Sequence, residues 1–157
     1  GTLKRVDYSY LKSANTPAFF AYLSASQSIS NATQTKVNID TELWDTNSDF
    51  NTSTYKFVVS VAGKYVISYR LKFSGMDSGE MVESFLHKNG TADFKSQTKT
   101  FSSATDQQLI SWGTYLMDLS VSDEIELYAF QNEGASRDVF GGLTDGSWLS
   151  GYKLIGV

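Results

Sequence analysis

Apolar and polar residues alternate with a period of two along most of this chain. In residues 64–73, Tyr65, Ile67, Tyr69, Leu71 and Phe73 fall on one side, and Val66, Ser68, Arg70 and Lys72 on the other. A strand sends successive side chains to opposite faces, whereas a helix would scatter these five around its circumference. Phe57, Val59 and Val61 repeat the pattern just before, and Ala62-Gly63 is the only break. The two runs therefore predict a hairpin turning at Gly63. Residues 81–88 alternate Val82, Ser84 and Leu86 against Met81, Glu83 and Phe85. Asn89-Gly90 ends that run, and both residues tolerate the positive φ that a two-residue hairpin turn needs. Residues 109–121 carry Tyr115, Met117, Leu119 and Val121 on one side and Ile110, Trp112, Thr114 and Leu116 on the other. Residues 125–130 form a further strand, entered through Ser122-Asp123, and residues 18–25, 36–44 and 147–157 complete the set.

No segment holds an apolar stripe at i, i+3, i+4, so helix is limited to a turn or two. Eight or more short strands at regular spacing predict an all-β sandwich or barrel. Residues 24–35, 74–80, 93–108 and 131–146 are polar and are expected to be loops or frayed edge strands. Residues 1–16 are weakly patterned and are expected to be a linker or stalk end, leaving residues 17–157 as the domain. No internal repeat is present.

Composition narrows the chemistry. The 157 residues suit one domain. With 13 Lys plus Arg against 17 Asp plus Glu the formal charge is −4, the wrong sign for neutralising nucleic-acid phosphates. No Cys and one His exclude thiol catalysis, disulfides and multi-histidine metal sites within one chain. The longest apolar runs fall far short of the roughly 20 residues a spanning helix needs. An aromatic share of 14% with a charged share of 19% fits a large packed core rather than disorder.

Several pieces occur in the order found in a known family. Residues 51–57 and the run Val61-Ala62-Gly63-Lys64-Tyr65-Val66-Ile67-Ser68-Tyr69 match its polar turn, Lys-Phe step and Gly-x-Tyr-x-Phe-Ser-Tyr strand, with Ile67 in the Phe position. Pro17-Ala18-Phe19 looks like the opening strand, and Leu86-His87-Lys88-Asn89-Gly90 like the Leu-x-Lys-Asn-Gly hairpin. Residues 116–125 look like the Leu-x-Leu-x-x-Gly-Asp-x-Val step, with Ser122 at the Gly position. Trp148-Leu149-Ser150-Gly151-Tyr152-Lys153-Leu154-Ile155 looks like the closing Phe-Ser-Gly-x-Leu-Leu strand, with Trp148 for Phe. From Pro17 to Val157 the chain resembles the C1q-like globular domain of the C1q/TNF superfamily.

That resemblance implies a ten-stranded antiparallel jelly-roll sandwich that assembles as a homotrimer and acts as a binding head rather than an enzyme. It implies that some aromatics line the three-fold axis, with Tyr65, Tyr69, Tyr115 and Tyr152 as candidates. Ligand-binding loop candidates are Asp77, Glu80, Phe140 and Trp148. Some domains of this kind hold calcium at the trimer apex, which makes Asp77 and Glu80 weak calcium candidates; no other cofactor is expected. The partner expected is a cell-surface glycan or protein, with no nucleic acid and no membrane insertion. The absence of Cys and the Ser/Thr/Asn-rich style, with no collagen-like run in the chain, point to the head of a phage or bacterial fibre, extracellular or on a virion surface. A purely structural trimerisation domain and a secreted C1q/TNF-like signalling ligand are the alternatives.

Other constellations carry less. Asp45-Thr46-Asn47-Ser48-Asp49 opens like a calcium loop, but Phe50 and Lys56 stand where an EF-hand needs Gly and Glu. Glu124 and Glu126 share one strand face, as paired carboxylates of a glycosidase would, but also as edge charges do. His87 is expected to be a surface or interface residue of its hairpin. Asn31, Asn51 and Asn89 head N-x-S/T triplets, which matter only in a eukaryotic secreted protein.

Overall fold

The computed structural model describes residues 17–99 and 105–154. The expected linker at 1–16, residues 100–104 of the loop at 93–108 and the end of the closing strand at 155–157 lie outside the described residues. Among the described residues there is no helix, and thirteen extended segments stand where the resemblance implies ten strands. They are β1 (Ala18–Tyr22), β2 (Gln27–Ile29), β3 (Thr35–Lys36), β4 (Thr41–Asp45), β5 (Phe50–Asn51), β6 (Lys56–Val58), β7 (Gly63–Met76), β8 (Met81–Lys88), β9 (Thr91–Lys99), β10 (Gln107–Leu119), β11 (Glu124–Gln131), β12 (Arg137–Val139) and β13 (Trp148–Lys153).

Two antiparallel sheets face each other. Sheet I runs β2-β12-β7-β13-β1-β4, with β10 along the other edge of β7. Sheet II runs β5-β6-β11-β8-β9, with β3 also on β11. The inward alternation of each sheet fills the space between them. Phe57 stacks on Phe19 with centroids 4.5 Å apart, Phe19 lies 5.3 Å from Phe50, and Phe57 lies 5.7 Å from Tyr65. The polar atoms admitted to this core are paired, as burial demands. Tyr65 donates its hydroxyl to the Val61 carbonyl at 2.6 Å, and Ser84 bonds both Tyr69 (3.1 Å) and Ser111 (2.7 Å).

The turn at Asn89-Gly90 joins β8 to β9 with φ of 52° and 78°, as the dipeptide predicts. The hairpin predicted at Gly63 does not form. β6 pairs with β5 and β11 in sheet II, while β7 pairs with β10, β12 and β13 in sheet I. Alternation marks which face is buried but not which strand lies alongside. Phe57 and Tyr65 meet across the core instead of side by side. For the same reason the strand predicted over 36–44 divides: β3 joins sheet II, β4 joins sheet I, and Val37 and Ile39 stay buried at the crossing.

The turn between β10 and β11 accounts for the Gly that the family pattern holds there. Ser122 has φ 73°, in the left-handed region that glycine enters without strain. Asp123 holds this turn, accepting from Asn89 Nδ2 (2.8 Å) and Ser120 N–H (2.8 Å) and pairing with Lys88 at 2.9 Å. The bond from Asn89, then those from Lys88 and Ser120, bring its carboxyl down from 3.8 to about 2. A depressed carboxyl stabilises the fold above its unfolded value, and that contribution disappears as pH falls toward 2. Asp123→Asn should therefore lower the urea midpoint at pH 7, and the gap from wild type should close between pH 4 and pH 2.

Candidate functional site

Among the described residues nothing covers the outward face of sheet I. Strand register arranges it in rows, because residues directly opposite share a face. Trp112, Arg70, Trp148 and Tyr22 form one row across β10, β7, β13 and β1. Thr114, Ser68, Ser150, Phe20 and, from β4, Trp44 form the next, and Leu116, Val66, Tyr152 and Ala18 the third. Trp112 is 66% exposed, Leu116 71%, Tyr152 51% and Trp44 47%. Phe20 and Trp148 lean on each other with centroids 5.5 Å apart. Aromatic and aliphatic groups clustered on one flat face mark an interaction surface rather than the scattered apolar residues of an ordinary exterior.

Charge closes both ends of this face. At one end Lys64 pairs with Asp118 at 3.3 Å, beside a depression of about 220 Å³ lined by Lys64, Leu116, Met117, Asp118 and Leu154. At the other, Asp145 pairs with Lys72 and with Arg70 (2.9 Å), and the Lys72 ammonium lies 5.2 Å from the Phe140 ring centroid. Hydrogen bonds from Lys72 and then Arg70 hold the Asp145 carboxyl below its usual value. Ser68 and Thr114 are bonded to each other at 2.9 Å, so the centre of the face offers little unsatisfied polarity.

The expected interface tyrosines divide. Tyr152 stands on the open face. Tyr65 and Tyr69 point to the other side of β7 and are enclosed by the subunit's own core, so neither presents surface to another copy. Burial, with Asp49 adding to it, pushes the Tyr65 hydroxyl up to about 12. Tyr115 also points inward, stacking on Phe94 at 4.2 Å and lying 6.1 Å from Tyr69. The residues that dominate the face are Trp112, Leu116, Trp44 and Phe20. The signal for the first two is present in the sequence: residues 109–121 are apolar on both alternations, whereas one-sided burial asks for only one.

Of the loop candidates, Trp148 belongs to strand β13 and to the open face, not to a loop. Phe140 is half-buried beneath Lys72 in the segment between β12 and β13. Asp77 and Glu80 shape the turn between β7 and β8: Glu80 accepts the Asp77 N–H at 2.9 Å, and Asp77 accepts the Asp106 N–H at 2.8 Å. Among the described residues no three His, Asp or Glu side chains converge as cation ligands.

The other constellations have structural partners. Asp45 accepts the N–H groups of Asn47 (3.0 Å) and Phe50 (2.7 Å), and buried Asp49 accepts from the Ser60 hydroxyl at 2.7 Å. Burial, with Asp45 adding, pushes the Asp49 carboxyl up against that bond. Glu124 pairs with Lys56 at 2.6 Å and Glu126 with Lys36. His87 is not a surface residue: 7% of it is exposed, and the Tyr128 ring covers it at 3.9 Å. Asn31, Asn51 and Asn89 all lie in exposed positions.

A family model described as "C1q domain" matches residues 18–154. No curated protein matches the sequence. Among solved structures, Eiger TNF from S. frugiperda superimposes with a TM-score of 0.68 at 13% identity, covering 90% of this chain and 94% of that one. The globular domain of zebrafish complement 1qA gives 0.63 at 16% identity over 89% and 98% of the two chains. Murine APRIL at pH 5.0 gives 0.63 at 13% identity over 89% and 100%. At these identities the likeness is one of fold.

Proposed function

The chain belongs to the C1q domain family, and on that footing we propose that it is the homotrimeric binding head of an extracellular fibre or surface appendage, without enzymatic activity of its own. One observation carries this reading: the open apolar rows on sheet I, centred on Trp112 and Leu116, which two further copies of the chain would cover. The ends of the strands support an orientation for such a head. Lys153 N–H bonds the Pro17 carbonyl and Leu154 N–H the Lys64 carbonyl, so the domain is entered and left near the start of β7. The turn carrying Asp77 and Glu80 follows the far end of that 14-residue strand, about 40 Å away at 3.3 Å per residue.

Loops at the far end, including residues 77–80, are therefore the candidates for touching a cell-surface glycan or protein. Three identical weak sites on one rigid body raise avidity by roughly 10²–10⁴ against a repetitive target. Native mass measurement combined with a glycan array tests the proposal. A trimer that binds defined sugars, with binding lost in a 77–80 loop replacement that remains trimeric, is the expected result. A trimer without any glycan or cell binding favours a purely structural role, and a monomer overturns the assembly.

A further inference from the structure

His87 is the only histidine in the chain, and it occupies an unusual position on the outward face of sheet II. It is nine-tenths buried, yet among the described residues neither Nδ1 nor Nε2 makes a hydrogen bond of ordinary geometry, the Gly90 backbone being the polar group that pulls on the ring. An imidazole normally satisfies at least one nitrogen when buried, because leaving both unpaired carries the full desolvation cost. Its ring lies flat against Tyr128 at 3.9 Å and edge-on to Phe85 at 6.5 Å. Burial beneath these rings, by keeping water from the imidazole, favours its neutral form. Directly across the ladder from His87 stands Glu126, whose carboxylate is engaged by Lys36; the same Lys36 ammonium donates to the Thr54 carbonyl at 2.7 Å. Lys36 thereby ties β3 to the turn between β5 and β6.

We propose that His87 is an acid-operated latch: on taking a proton it draws Glu126 away from Lys36 and loosens the tie between β3 and residues 52–55. The groups that face it decide the direction. Glu126 and Tyr128 of β11 and Asp93 of β9 act on it directly. Further along the outward face are Glu124 of β11, Lys95 of β9, Glu83 of β8, Lys56 of β6 and Lys36 of β3, while Lys88, the next residue of β8, reaches the Asp118 carbonyl and Asp123 instead. Glu124 is held by Lys56, Glu83 by Lys95 (2.5 Å) and Lys88 by Asp123. Asp93 also pulls on the ring, but Glu126 stands directly opposite His87 in the ladder and shares its lysine with the Thr54 carbonyl, so a change of partner by Glu126 is the one that reaches the turn between β5 and β6. Burial holds the His87 pKa below the ordinary 6.5, while Glu126, the Gly90 backbone and Asp93 pull against it. A group kept neutral by the fold leaves stability complete above its unfolded value and withdraws it as pH falls through that value. The latch lies on the sheet opposite the apolar rows of sheet I, so it acts without dismantling that face.

A single histidine makes the test direct, since the ring signals of an untagged chain report His87 alone. Ring titration by NMR is compared with hydrogen exchange of the amides at 35–37 and 54–56, from pH 7.5 to pH 4.5, corrected for intrinsic exchange rates. The ring should titrate below 6.5, and these amides should exchange about tenfold faster across the same interval while the β7 and β10 amides stay protected. His87→Phe, which keeps a ring against Tyr128, should abolish the acid response. Glu126→Gln should lower the ring's titration midpoint further and leave the 35–37 amides fast at every pH. The proposal is overturned if the ring titrates without change at these amides, if His87→Phe responds to acid as wild type does, or if the whole sandwich opens together.

Discussion

Replacing Trp112 and Leu116 with threonine is expected to convert the proposed trimer into folded monomers. Both side chains point away from the core of their own subunit, at 66% and 71% exposure, so removing them opens no cavity within it. Threonine keeps the strand preference of β10 and leaves the ladder to β7, which runs from Gln107 to Leu119, undisturbed. In a closed trimer each side chain is buried three times. At roughly 2 kcal/mol for each buried copy, one substitution removes about 6 kcal/mol, or about four powers of ten in the association constant. Sedimentation velocity at micromolar concentration should show the single variants dissociating on dilution and the double variant as a monomer throughout. Far-UV circular dichroism and the thermal transition of the monomer should retain β-sheet character. A double variant that still sediments as a trimer would remove the open face of sheet I from the interface.

Period-two alternation is a property of a strand and its two faces, and what it predicted about faces holds. Tyr65, Ile67, Tyr69, Leu71 and Phe73 are all buried, and the Asn89-Gly90 turn lies where its backbone preference puts it. Partnership is a different matter. Phe57 and Tyr65 carry the same apolar signature whether they lie on adjacent strands or across a core, so alternation alone predicts a hairpin where the chain crosses between sheets. Strands inside the polar segments leave a weak signal: β2 and β12 have only three residues each, and the edge strand β9 alternates Phe94 and Ser96 with Lys95 and Gln97, so those segments read as loops or frayed edges.

The candidate site was legible in one respect that alternation alone does not display. In β10 both alternations are apolar, which implies burial on both sides, although among the described residues one side is bare. A ring with a hydroxyl suits an interface, yet in β7 the tyrosine hydroxyls find partners inside the subunit, at the Val61 carbonyl and at Ser84. Trp148 opens the closing strand in the alternation and is a loop candidate by the resemblance; pairing with Tyr22 and Arg70 places it in the sheet. The alternation places His87 on an outward face, and nothing in its own strand foretells the Tyr128 ring that buries it from β11.

Gly151→Val should cost about 3 kcal/mol of stability, near the upper end for overpacking a close-fitted core. The glycine of the closing strand has no special backbone angle; its requirement is space. It sits between Phe19 of β1 and Ile67 of β7 in one inward row, and a Cβ there would stand 2.6 Å from Ile67 Cδ1, 2.8 Å from Phe19 Cε1 and 3.3 Å from the Val66 carbonyl oxygen. No carbon makes such contacts without displacement. The ring of Phe19 cannot retreat freely, because it is stacked on Phe57 and Phe50. Valine brings two further methyl groups into the same space. Gly90→Ala provides the contrast: nothing lies within 4 Å of its Cβ, and φ is +78°, so that change carries only the backbone penalty of about 1 kcal/mol. Coupling settles the mechanism. If crowding of Phe19 is the cause, Phe19→Leu combined with Gly151→Ala should be less damaging than the sum of the two single changes, by about 1 kcal/mol in urea denaturation. Simple additivity would show that Gly151 serves something other than room for that ring.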